Sequence, residues 1–430
     1  MIVDWHICKC KGSNDDEFVI RIGGNNFMKI IRKYSLLIGG LGFSNLGNWI
    51  YLVALNLFVW HLTQSPAAMA GIFIVGPLAR VLTNLVAGSF IDRMNKRKLM
   101  MTTDIIRGIV VFCMPFMESI WLIYTLLFLA NIASSFFGPS STYYITKFVP
   151  SEDRQRFNAV LGTFNSGSFL LGPALAGLLI MLFNTTITIW FNSVTFFVCA
   201  IFIYLLPDVD DAHETLRQRI TWRVLKSDYQ AVVAFIRQHQ IFIAIYLLFQ
   251  CALMIAFALD SQEATFIKQD LALSDSLYGA FVSIAGAGAI LGGMVAASFA
   301  KKWSTRSYMA FGLFMTMLFY TAFYASTTSV LAFVSIALLG FFMAFCNTGY
   351  ETFYQHSVPP ELMGRFGSIA NIFQSSLQII FTLLLGLFAQ WYTLQMTAVA
   401  FGILSILCAV ALYFVLYSKK FRLQVEEEAL

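Results

Sequence analysis

Long uncharged runs separated by short polar connectors repeat along the whole chain. Leu36 to Trp60, Trp121 to Thr146 and Phe373 to Ala389 are three of them, each close to or beyond the roughly 20 residues that cross a hydrocarbon core as a helix. Twelve such runs are placed at 36–60, 67–90, 98–118, 121–147, 156–183, 186–207, 241–265, 276–300, 306–326, 329–357, 366–388 and 393–417. The strands of a membrane barrel would instead read as short alternating segments. The pattern therefore predicts an all-α membrane protein with about twelve transmembrane helices. Composition agrees, because hydrophobic residues make up 58% and charged residues 12% of the 430, against roughly a quarter charged in soluble domains.

The net charge of +5 raises nucleic acid as a partner, but its placement argues against that. The basic residues sit in short connectors on one side: Arg93, Lys96, Arg97 and Lys98 after the second run, Lys147, Arg154 and Arg156 after the fourth, Lys301, Lys302 and Arg306 after the eighth, and Arg365 after the tenth. The connectors of the other side hold only Lys268. Cytoplasmic loops carry the excess of Lys and Arg, so both termini and the 208–240 connector are expected in the cytoplasm. The chain divides into an N-terminal tail (1–35), a first six-helix half (36–207), a linker (208–240), a second half (241–417) and a C-terminal tail (418–430). The linker runs from Asp208, Asp210, Asp211 and Glu214 to Arg217, Arg219, Arg223, Lys226 and Arg237. Within it Trp222, Val224, Leu225, Tyr229, Val232, Val233 and Ile236 recur at helical spacing, which fits an amphipathic helix at the membrane surface or a solvated linker helix.

An internal repeat supports the division into halves. Val149-Pro150-Ser151-Glu152, followed by Arg156-Phe157, returns as Val358-Pro359-Pro360-Glu361, followed by Arg365-Phe366, at a constant offset of 209 residues. The same offset lays Ser89-Phe90 on Ser298-Phe299 and Arg97 on Arg306. Duplicated six-helix halves with a midplane site are a transporter architecture in which one half rocks against the other.

The connector Gly88-Ser-Phe-Ile-Asp92-Arg93-Met-Asn95-Lys96-Arg97-Lys98 resembles the signature loop between the second and third helices of the major facilitator superfamily. Asn95 stands where that family usually has Gly, and Asn is the next residue to tolerate a left-handed backbone. The resemblance implies a conformational role for Gly88, Asp92, Arg93, Lys96 and Arg97, latching the halves without touching substrate. In the fifth run, Ser168-x-x-x-Gly172-Pro173-x-x-Ala176-Gly177 looks like the exporter-associated motif of the family, with Ser and Ala replacing two glycines. Gly47-Asn48-Trp49, Leu62-Thr63-x-Ser65-Pro66 and Asp104-x-x-Arg107 extend the likeness to the drug:proton antiporter branch that includes macrolide-efflux and enterobactin-exporting proteins.

A lone charge at the centre of a membrane helix costs about 2.5–3.5 kcal/mol on insertion scales, so the charges inside the runs are the candidate chemistry. Arg80 falls near the middle of the second run, Asp104 and Arg107 in the third, Asp260 and Glu263 late in the seventh, and Glu351 late in the tenth. Asp104 and Arg107, three apart, share a helix face and fit either an internal ion pair or a relay to the signature loop. Asp260 and Glu263 also share a face. Two carboxylates in a poorly solvated place repel one another's charge, which suits proton exchange near neutral pH; at the outer mouth they would simply meet water. Glu351 reads as the deepest acid, and its polar neighbours Asn347, Tyr350, Thr352, Tyr354 and Gln355 predict a face turned to a cavity, or a pair with Arg80.

Other signals are weak. His6-x-Cys8-x-Cys10 lacks the second half that a zinc site needs, so no metal is expected. There is no Gly-rich Lys-Ser/Thr loop for a nucleotide, no nucleophile and base in register, and no cofactor motif. The seven cysteines, in the tail or in apolar runs, read as reduced thiols. The function expected is secondary efflux of small amphipathic or cationic compounds by proton antiport. Export of a siderophore or lipid, and a non-transporting receptor or scaffold with the same fold, are the alternatives. Its expected partners are a small-molecule substrate, protons and the lipid of the cell membrane, with a monomer as the simplest unit. The charge asymmetry predicts that a single Cys placed at Gln218 escapes membrane-impermeant maleimide added outside intact cells and reacts once the membrane is permeabilised.

Overall fold

The computed structural model describes residues 30–84, 94–209, 222–299 and 303–418. The first half contains α1 (Ser35–Thr63), α2 (Pro66–Asn84), α3 (Lys96–Cys113), α4 (Ile120–Phe148), α5 (Ser151–Leu182) and α6 (Thr185–Leu205). A linker helix α7 (Trp222–Gln238) leads into α8 (Gln240–Asp260), the short α9 (Glu263–Gln269), α10 (Asp275–Phe299), α11 (Thr305–Tyr324), α12 (Ser329–Ser357), α13 (Pro360–Trp391) and α14 (Leu394–Leu416). Among the described residues no strand occurs, and twelve helices are long and apolar enough to cross a membrane. Lipid offers no partner to backbone N–H and C=O groups, which restricts spanning segments to helices or closed barrels.

Polar caps let one helix follow another after very few residues. The side chains of Asn184, Ser304, Thr328 and Thr393 accept hydrogen bonds from the backbone N–H groups of Ile187, Ser307, Leu331 and Met396, opening α6, α11, α12 and α14. Such caps satisfy donors that a helix start leaves orphaned. The internal repeat extends to the helix boundaries: α10 to α14 begin at 275, 305, 329, 360 and 394, each 209 residues after α2 to α6 at 66, 96, 120, 151 and 185.

Each half is a bundle, and the two meet along α5 against α10 and α2 against α13. These contacts are repeat-related and both lie at the end of the bundle away from residues 30 and 418. A Cβ on Gly279 would come 2.5 Å from the Pro173 carbonyl and 3.0 Å from Gly177 Cα. A Cβ on Gly386 would come 2.6 Å from that of Ala70. Gly386 and Gly279 are the repeat counterparts of Gly177 and Ala70, so one small-residue contact is built twice. Polar bonds join the halves at the same end: Asn56 Nδ2 donates to the Tyr278 hydroxyl at 2.9 Å, Gln262 Nε2 to the Pro66 carbonyl at 2.9 Å, and His61 Nε2 lies 2.9 Å from Asp275 Oδ2. Lys268 Nζ, 2.6 Å from Asp275 Oδ1, completes that cluster. The far end is thus sealed, while the end that holds the termini leaves a cavity between the halves.

Two expectations are corrected. The run read as 241–265 is two helices, because α8 ends at Asp260 and α9 starts at Glu263. Ser261 turns its hydroxyl back to the Ala258 carbonyl and Gln262 spends its amide on the other half. Asn95 has φ −62 and ψ 119, an extended N-cap and not a left-handed residue. It accepts from Lys98 N at 2.9 Å and donates to both Asp208 oxygens at 2.9 and 2.7 Å. The linker helix turns its apolar side to the second half, with Val232 and Phe235 buried against Phe242 and Phe366.

Replacing Gly279 with Val is expected to hold the far end open, because the larger side chain meets backbone atoms of α5. In a background without native cysteines, a Cys at Asn56 should then react several-fold faster with impermeant maleimide added at the far side. An unchanged rate would show that the α5–α10 contact does not form the seal.

Candidate functional site

A cavity of about 700 Å³ lies between the halves, within the range of sites that enclose small molecules. Its walls are mostly aromatic and aliphatic, with Trp49, Phe73 and Phe169 from the first half and Phe257, Tyr320 and Phe323 from the second. Polar groups are few and clustered. Asp260 and Glu263 stand toward the sealed end beside Asn56 and Tyr278, and Arg80 enters from α2. On α13, Asn371, Gln374 and Gln378 line another wall; their spacing of three and four residues puts them on one helix face.

The two acids come together although the helix breaks between them. Tyr320 donates its hydroxyl hydrogen to Asp260 Oδ1, and Tyr324 donates to the Leu259 carbonyl, so α11 clamps the end of α8. Glu263 Oε1 is buried and has no hydrogen-bond partner, and Asn56 Oδ1 is in the same condition. A buried acceptor without a donor is costly, so these atoms are poised to receive a proton or the N–H of a cargo. Arg80 forms no hydrogen bond or ion pair with any described residue. Gly76, one turn earlier, leaves room for Asn131 of α4, whose Oδ1 would lie 3.2 Å from a Cβ at that position.

Glu351 does not join them. It is exposed and is absent from the cavity wall. Ile336, Leu339, Gly340 and Met343 line the cavity, and Asn347 and Glu351 continue that helix face about 12 Å further toward the terminal end. The acid read as deepest therefore sits in the approach to the cavity, and no ion pair links it to Arg80. The sequence reading failed here because it ranked depth by position within a run whose terminal third lies below the cavity.

Asp104 and Arg107 form an internal pair in α3, with Arg107 Nη1 3.1 Å from Asp104 Oδ1. Asp104 is fully buried. Arg107 also donates to Asn48 Oδ1 at 3.2 Å and lies 3.9 Å from the Phe196 ring centre. This cluster ties α3 to α1 and α6 and does not line the cavity. From the signature loop, Arg97 donates to the Tyr204 carbonyl at 2.6 Å, at the end of α6, and Lys96 lies over the Tyr143 ring. A cation at a helix C-terminus also opposes the partial negative charge there. Gly88, Asp92 and Arg93 lie outside the described residues. Gly172 and Pro173 are buried in the fifth helix: Gly172 leaves 2.5 Å from its Cβ position to that of Trp49, while Gly177 takes part in the far-end seal and Ser168 is buried nearby.

Sequence reasoning missed Tyr278, Tyr320 and Tyr324, which no spacing singles out among 17 tyrosines. The amide face of α13 was legible from the spacing of Asn371, Gln374 and Gln378 and was passed over. Gly279 and Gly386 were also missed, although the 209-residue offset that relates the halves would have led from Gly177 to Gly386.

Two pseudo-symmetric six-helix bundles around a cavity closed at one end define a membrane transporter. The chain belongs to the Major Facilitator Superfamily, whose sequence model matches residues 37–382 and again 261–429. It is a multi-pass membrane protein of the transporter class and not an enzyme. Over 165 residues it is 28% identical to the uncharacterized MFS-type transporter YfiS of Bacillus subtilis (strain 168), covering 38% of this chain and 40% of that one. Over 386 residues it is 21% identical to macrolide efflux protein A of Streptococcus pyogenes, covering 85% and 93%. The nucleoside transporter NupG has the same fold, with a TM-score of 0.71 at 15% identity over 92% of this chain and 100% of that one.

Removing one partner of a buried ion pair leaves an uncompensated charge, a loss of about 3–5 kcal/mol. Asp104→Ala and Arg107→Ala are each expected to lower the thermal unfolding temperature of the purified protein in detergent. The double variant should recover part of that loss. Simple additivity of the two would mean that the pair contributes no coupling.

Proposed function

We propose that the chain exports small amphipathic compounds bearing an amine by proton antiport, with Asp260 and Glu263 as the groups that exchange cargo for protons. The observation that carries this reading is the unpartnered Glu263 oxygen beside Asp260 at the sealed end of an aromatic cavity. A carboxylate in the membrane is retained where protonation or a cation relieves its charge. A proton and an ammonium group compete for the same oxygens, so each displaces the other, and that mutual exclusion is what an exchanger requires.

The direction follows from sidedness. With the termini in the cytoplasm, the cavity opens inward and loads cargo there. Rocking the halves breaks the α5–α10 and α2–α13 contacts, and the acids, already near the far end, then meet the outside and take up protons as cargo leaves. Likeness to macrolide efflux protein A over 93% of its length supports export. The helix-5 motif at the seal supports it too, since the residues whose resemblance implies export, Gly172, Pro173 and Gly177, lie in or beside the contact that must open.

The test uses proteoliposomes with an imposed pH gradient and a panel of amphipathic amines, recording substrate and proton flux together. Wild-type protein should move cargo against its gradient with counterflow of protons. Asp260→Asn and Glu263→Gln should each reduce gradient-driven flux by tenfold or more while leaving downhill exchange measurable. If both variants keep wild-type proton flux, the acids do not couple transport.

A further inference from the structure

The cavity holds two opposite charges that do not meet. Arg80 projects from the first half without a carboxylate among the described residues, and Glu263 in the second half keeps a buried oxygen without a donor. Asp260 is engaged by Tyr320, which leaves Glu263 as the open acceptor. Along α2, Arg80 lies about 21 Å from the far-end residue Pro66, whereas the acids stand at the far end of α8. The two charges therefore occupy different levels of one chamber, on different halves.

Charge complementarity narrows the cargo. A purely cationic compound bound at Glu263 would share the cavity with the unpaired guanidinium and be repelled by it. A purely anionic compound at Arg80 would face the carboxylates. A molecule with both charges, joined by an apolar body, satisfies each end and lays its body along the aromatic walls. We propose that the preferred substrate is a zwitterionic amphiphile, with its carboxylate or other anionic group on Arg80 and its ammonium group at Glu263. This deepens the export reading and rests on it. Guanidinium is suited to the first task because its planar donors match a carboxylate with two parallel hydrogen bonds. Such a cargo also bridges the halves, so it is held by both charges only while they enclose it together.

Three probes with one skeleton separate the possibilities: Nα-dansyl-lysine carries both charges, dansylcadaverine lacks the carboxylate, and dansyl-norleucine lacks the amine. Equilibrium binding to the purified full chain in detergent is read from dansyl fluorescence. The wild-type protein should bind Nα-dansyl-lysine at least about tenfold tighter than either relative, the scale of one charge-assisted hydrogen bond. Arg80→Gln should reduce it to the affinity of dansylcadaverine, and Glu263→Gln to that of dansyl-norleucine. Arg80→Lys, which keeps the charge, should preserve most of the preference and guards against a folding defect in Arg80→Gln. Equal binding of Nα-dansyl-lysine and dansylcadaverine to the wild type, a preference that survives Arg80→Gln, or no binding of any probe would overturn the proposal. The assay involves no gradient. Loss of the preference with intact proton-driven flux removes only the zwitterion assignment, and intact preference with uncoupled flux removes only the antiport reading.

Discussion

The close approach of two helix backbones at Gly177 and Gly279 is the constraint on which the rest of the structure depends. Lipid tails are as apolar as the side chains they would replace, so there is no hydrophobic drive to bring the halves together, and van der Waals contact between small residues does that work. At this point the backbones meet with no side chain between them. The repeat builds the same contact a second time at Ala70 and Gly386. Two such contacts, both at one end, close that end without filling the space behind them, and the cavity is the result. A seal made of weak, short-range contacts and a few hydrogen bonds can also open without breaking either bundle.

The second half uses close backbone contact internally as well. Gly340 meets the Ala285 carbonyl and Gly292 that of Phe341, packing α10 on α12 through backbone contact. Cysteine, alanine and serine fill the remaining narrow positions, as at Cys199, Cys346 and Ser335. Rocking requires the contact between the halves to separate while each half keeps its own packing.

Charge is distributed along the same division. Asp104 and Arg107 neutralise one another inside the first half, and Asn48 and the Phe196 ring complete their surroundings. The pair is enclosed within that half and does not line the cavity, so it is out of reach of cargo. Arg80 and Glu263 are placed on opposite halves and remain without partners across the space that separates them. A charge paired within a half serves architecture, whereas a charge facing the gap between halves is available to whatever enters it.

Hydropathy and spacing by themselves determined the class, the twelve spans, the division at the linker and the duplication, because each depends on local periodicity that survives in one dimension. The same reasoning identified Asp260, Glu263 and Arg80 as charges needing an explanation, since a charge within an apolar run is costly unless something relieves it. Only the tertiary structure decided what they face. It separated Asp260 from Glu263 by a helix break yet kept both on one cavity wall, moved Glu351 out into the approach, and turned Asn95 into a helix cap bound to Asp208. It also drew Tyr278 and Tyr320 to the acids. Those outcomes depend on which faces of distant helices meet and at what depth, and that is set by contacts between residues in different runs, from 60 positions apart for Tyr320 and Asp260 to 222 for Asn56 and Tyr278, which no spacing within a single run records.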